Sequence, residues 1–165
     1  MGPGSGQGAQ LTAGVSFTPP MSGDEFVDRA LRLAGAKTSD LICVAGPGAL
    51  PAMLRLCRYG FENAECAWRA TCAVADRPRD LLLLAGESNA QALARTVRLV
   101  SRVLRDGGLL VAQLTAADHA AVIAPALASV GRCSIAIGEL RDLVAVRVLR
   151  WEPMTLAASG RNPCC

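Results

Sequence analysis

The hydrophobic pattern is clearest from Asp80 to Leu114, where its period changes twice. Leu81–Ala85 is a short unbroken apolar run, as a strand buried on both faces of a parallel sheet requires. Gly86-Glu87-Ser88-Asn89 interrupts it with residues that break strands and cap helices. From Ala90 to Arg105, the apolar positions Leu93, Val97, Val100 and Leu104 share one helical face, and Arg95, Arg98, Arg102 and Arg105 share the opposite one. That spacing predicts a helix over 90–105, stopped by Asp106-Gly107-Gly108. Leu109–Leu114 predicts a second buried strand. Strand, helix and strand in this order make a right-handed parallel crossover.

The flanking segments extend this unit. Ser22-Gly23-Asp24-Glu25 is a capping box, with Glu25 placed to reach back to the Ser22 amide, and it opens a helix whose stripe is Phe26, Ala30, Leu33 and Ala34. Leu41–Ala45 reads as the first strand, followed by the glycine turn Gly46-Pro47-Gly48 and a helix over 50–59. Glu65–Arg69 and Thr71–Ala75 are candidate short strands, with Asp76–Arg79 leading to the central one. Thr115 with Asp118 is a second capping-box match, and Pro125 should kink or restart the helix that follows. Cys133–Ile137 and Leu143–Leu149 alternate at period two around a turn at Gly138–Asp142, which predicts a terminal antiparallel hairpin. The fold class is therefore α/β: a doubly wound, mostly parallel sheet with helices on both faces and a C-terminal antiparallel β-hairpin. Leu41–Ala45 should lie beside Leu81–Ala85, with Leu109–Leu114 outward of it.

Composition narrows the class. The 165 residues suit one domain spanning 21–153. Residues 1–20 lack any charge and read as a disordered leader, and 154–165 as a flexible tail. The chain is 52% hydrophobic, yet no apolar run approaches the ~20 residues of a membrane span. With no signal-peptide pattern, a cytoplasmic protein is the expectation. A net charge of +3 does not point to nucleic acid, and the arginine face reads as solvated surface. Cys43, Cys57, Cys66, Cys72 and Cys133 lack metal-site spacing and read as buried thiols, so no metal is expected. The terminal Cys164-Cys165 pair reads as an exposed, oxidisable end.

Strand, G-x-G turn, helix, the D-LLLL strand, a helix ending in VLRDGGLLVAQL and a terminal hairpin together resemble a class I S-adenosylmethionine-dependent methyltransferase over roughly Asp40–Trp151. In that family the turn after the first strand reads acid-x-G-x-G-x-G. Here those positions hold Val44, Gly46, Gly48 and Leu50, so two glycines are kept while the acid and the third glycine are not. The resemblance implies S-adenosylmethionine as cofactor, with its methionine end against Gly46 and Gly48, Asp76 near adenine, Trp68 as a stacking surface and Glu87 beside it. It also implies a small-molecule or protein acceptor. His119, the single histidine, and Glu87 follow the carboxyl ends of strands and are the candidates for proton transfer. Each has a structural reading as well: His119 as a first-turn surface residue, Glu87 as a helix-start carboxylate. Two functions fit these residues. One is methyl transfer to an acceptor; the other is a methyltransferase-like domain without cofactor that serves as an interaction or regulatory module. A nucleotide-binding oxidoreductase is disfavoured by the missing third glycine and the missing acid after the second strand.

Overall fold

The computed structural model describes residues 21–67, 77–115, 119–140 and 142–150. Four strands run parallel. They are β1 (Ile42–Ala45), β2 (Ala64–Ala67), β3 (Arg79–Leu84) and β4 (Leu104–Gln113). The hairpin of β5 (Arg132–Leu140) and β6 (Leu143–Arg150) joins them through antiparallel pairing of β6 with β4, giving the order β2-β1-β3-β4-β6-β5. Val44 pairs with Leu83 and Leu83 with Val111, so the three apolar runs lie side by side as their composition predicts.

Alternate side chains of these strands enter two separate cores. Ile42, Val44, Leu81, Leu83, Leu109 and Val111 face helices α1 (Gly23–Ala34) and α2 (Ala49–Arg58), meeting Phe26, Val27, Ala52 and Leu56. Cys43, Ala45, Leu82, Leu84, Leu110 and Ala112 face α3 (Ala90–Val100) and α4 (Ala120–Ala128), meeting Leu93, Val97, Ile123 and Leu127. Arg95, Arg98, Arg102 and Arg105 are all exposed, and Arg105 Nε lies 2.8 Å from Asp80 Oδ1. No described helix is long and apolar enough to cross a membrane.

The caps are read from short polar side chains. Ser22 Oγ accepts from the Glu25 amide at 3.2 Å, and Asn89 Oδ1 from the Ala92 amide at 2.7 Å. The Glu25 carboxylate turns instead toward Arg29, whose Nη1 is 3.7 Å away. Helices α1 and α2 are clasped by Asp28, which accepts from Arg55 Nη2 at 3.0 Å and Tyr59 Oη at 2.6 Å. Those two donors, Arg55 first, hold the Asp28 carboxyl below the usual carboxylate range.

Several expectations are corrected. Helix α3 ends at Val100, and after a single tight turn at Ser101–Val103 the residue Leu104 already belongs to β4. Asp106-Gly107-Gly108 therefore forms a bulge in β4 rather than a helix stop. Arg150 N donates to Asp106 Oδ1 at 2.8 Å and Arg147 Nη1 to Gly107 O at 2.9 Å, so partners on β6 fix the segment. Gly138 lies inside β5 at a register shift, where a Cβ would come 3.3 Å from Leu33 Cδ1, and the hairpin closes between Leu140 and Leu143. Helix α4 continues through Pro125 to Ala128. The cysteines also divide: Cys43 is buried, whereas Cys57 and Cys133 are exposed. The expected strand at 71–75, the Asp118 cap, Cys72, the leader and the tail lie outside the described residues.

Candidate functional site

The chain leaves β1 for β2 on one side, then returns to place β3 on the other side of β1, so strand order reverses between β1 and β3. Ligands of doubly wound sheets bind outside the carboxyl ends of the strands at such a point. Two turns meet there. Gly46, with φ +99°, turns the chain after Ala45, and Gly48 N donates to Ala85 O at 2.9 Å. A Cβ on Gly46 would stand 2.5 Å from Ala85 O, and one on Gly48 3.1 Å from Ala85 Cβ. At Gly46 backbone packs directly on backbone, which leaves room for glycine alone, while Gly48 is merely tight against Ala85. Ala49 N is bonded to Gly46 O at 3.1 Å and Pro51 has no amide, so the start of α2 offers an anion little.

The turn after β3 carries the polar groups. Gly86 N donates to Gln113 Oε1 at 3.0 Å, and Gln113 Nε2 donates to Met21 O at 2.9 Å, which ties this turn to the chain entering α1. Glu87 is 5% exposed. Its Oε1 accepts from Thr96 Oγ1 at 2.6 Å, and its backbone oxygen accepts from Thr115 Oγ1 at 2.9 Å. His119, 2% exposed, precedes α4 with Nδ1 3.4 Å from Thr115 N and 3.2 Å from Thr115 Oγ1. Since the Thr115 hydroxyl proton goes to Glu87 O, its oxygen is left to accept, and the His119 tautomer decides whether Nδ1 donates to that oxygen or takes the Thr115 amide.

Beside both turns lies a pocket of about 330 Å³, lined by Ala45, Gly46, Pro47, Ala67, Glu87, Thr96, Leu99 and Val100. Of the residues proposed from sequence, the structure brings Gly46 and Glu87 together on its wall. Gly48 lies one residue behind that wall, packed on Ala85. His119 is not among the lining residues and reaches the site through Thr115. Trp68 and Asp76 lie outside the described residues. Thr96, Gln113 and Thr115 were not anticipated, and each bonds a partner on another element or turn.

Two further reactive groups at β1 and β2 are committed to the sheet. Burial pushes the Cys43 thiol up to about 11, which removes it as a nucleophile near neutral pH. The buried Arg79 guanidinium pairs with Glu65 of β2, so that carboxylate is engaged before the strand ends.

No family model matches the sequence, and no curated protein matches it. Solved structures match in shape. The release factor-specific protein-(glutamine-N5) methyltransferase from Alicyclobacillus acidocaldarius superposes with a TM-score of 0.50 at 17% identity, over 79% of this chain and 94% of that one. The ribosomal protein L11 methylase from Lactobacillus delbrueckii gives 0.49 at 12% identity, over 78% of each chain. The precorrin-6y C5,15-methyltransferase from Geobacter metallireducens gives 0.48 at 12%, over 75% of this chain and 86% of that one. The first of these superpositions shows a shared fold, the α/β fold of that methyltransferase.

Proposed function

We propose that the chain transfers a methyl group from S-adenosylmethionine, with the pocket between the two turns as its site. The observation that carries this reading is the position of that pocket: it opens at the carboxyl ends of β1 and β2, at the strand-order reversal, with a buried carboxylate on its wall. The fold shared with methyltransferases supports it.

The residues present fit the cofactor. Gly46 contributes wall without a side chain, and Ala45, Pro47 and Ala67 offer apolar surface to a nucleoside. The pocket's volume of about 330 Å³ sits at the low end of the roughly 300–1,000 Å³ of small-molecule pockets, so in this proposal the cofactor fills only its Ala45–Pro47 side and continues beyond it, leaving the Glu87 and Leu99 side to an acceptor. In this proposal Ala45–Pro47 and Gly48 shape the cofactor side, and the sequence resemblance adds Trp68 and Asp76 as proposed cofactor contacts. When bound, the cofactor supplies an electrophilic methyl group on a sulfonium. The protein's part is to orient the acceptor and accept a proton where one must leave. Glu87 is the residue proposed at the acceptor side. His119 is proposed to act through Thr115, holding the Glu87 backbone in place.

Calorimetric titration of the folded chain with S-adenosylmethionine and S-adenosylhomocysteine tests this. A ligand at 100 times its dissociation constant stabilises by about 2.7 kcal/mol, which raises the melting temperature measurably. No heat and no thermal shift at millimolar concentration of either compound would overturn the proposal and favour an interaction module.

A further inference from the structure

Among the described residues the Glu87 carboxylate is paired with no cation. Thr96 Oγ1 serves one oxygen. The residue is nevertheless 5% exposed, and the pocket it lines is otherwise walled by Ala45, Gly46, Pro47, Ala67, Leu99, Val100 and the Thr96 hydroxyl. Carboxylates withdrawn from water into apolar surroundings are ordinarily paired. Nor does the carboxylate serve as the cap of α3. Asn89 Oδ1 already takes the Ala92 amide, and Glu87 reaches past the first turn to Thr96.

We propose that the pocket binds a small organic cation, the amine of a methyl acceptor, with its ammonium against Glu87 and its hydrocarbon on Leu99 and Val100. The naming of that cation as an acceptor rests on the methyl-transfer reading; the pairing with Glu87 does not. A sulfonium carries the same charge, so the two sources must be told apart.

Hexylamine and 1-hexanol have matched hydrocarbon and differ in charge. Titrated separately into isotope-labelled full-length chain, with the amide resonances of Glu87, Thr96, Leu99 and Val100 followed by NMR, hexylamine should bind at least tenfold more tightly. Glu87→Gln should erase that preference and leave hexanol binding unchanged. Leu99 is 48% exposed on α3, so Leu99→Lys should fold normally; by placing an ammonium on the chain itself it should also suppress hexylamine binding. Hexylamine should still bind when S-adenosylhomocysteine is present. Equal binding of amine and alcohol, or a preference that survives in both variants, overturns the cation site. Competitive displacement of hexylamine by S-adenosylhomocysteine overturns the assignment to the acceptor. If neither adenosyl compound binds while the amine preference holds, the methyl-transfer reading falls and the cation site stands.

Discussion

The turn after β1 and the turn after β3 both follow a buried strand, both contain glycine, and they press against each other at the strand-order reversal. Their glycines do unequal work. Gly46 lies so close to Ala85 that any side chain would strike its backbone, and a Cβ on Gly48 would press on the Ala85 Cβ. The β3 turn spends its glycine on meeting Gly48 N, which a Cβ on Gly86 would approach to 3.2 Å, and then presents Glu87 to the pocket. One turn is shaped by packing, the other carries a charge. A G-x-G pattern is thus accounted for by its neighbouring turn before any ligand is considered, and the chemistry of the cleft concentrates on the other side.

This contrast can be broken. Gly46→Ala places a Cβ 2.5 Å from Ala85 O at φ +99°, combining overpacking with backbone strain. The expected loss is about 3 kcal/mol, read from the urea unfolding midpoint. A variant that kept full stability and lost only ligand would reverse the assignment of roles. Gln113→Leu should cost about 2 kcal/mol, because it leaves the Gly86 amide and the Met21 carbonyl without their partner. Thermal denaturation would expose the change, and a neutral result would mean that water replaces the side chain. Gly48→Ala is milder, since its φ of −85° suits any residue and the contact with Ala85 Cβ is 3.1 Å. About 1 kcal/mol is expected from chemical denaturation. The smallest effect belongs to Glu87→Gln. Removing a buried carboxylate that has no cationic partner among the described residues should shift stability by less than about 0.5 kcal/mol, or raise it. A large loss there would show that the carboxylate supports the fold.

Much of the fold could be read from local pattern. The unbroken runs at Leu81–Ala85 and Leu109–Leu114 identify strands covered on both faces, and the alternation of Val144, Val146 and Val148 identifies the hairpin strand. Pattern failed where distant partners decide. Nothing near Asp106 announces that its carboxylate will take the amide of Arg150, so its glycines read as a helix stop instead of a bulge. The site divides in the same way. Gly46 and Glu87 stand at strand ends and were legible from position, whereas Thr96 looks like one more polar residue on an arginine-bearing helix. Gln113 ends an apolar strand, and its two bonds reach 27 and 92 residues away.

That glutamine couples two parts of the chain in time as well as in space. Its amide group holds Gly86 N at one end and Met21 O at the other, so the first described residue and the loop bearing Glu87 share one fastening. Exchange of the Gly86 amide proton with solvent then requires an opening that also frees the strap before α1. Met21 and the Glu87 loop should open and reclose as a single cooperative unit, with the same protection and the same dependence on denaturant.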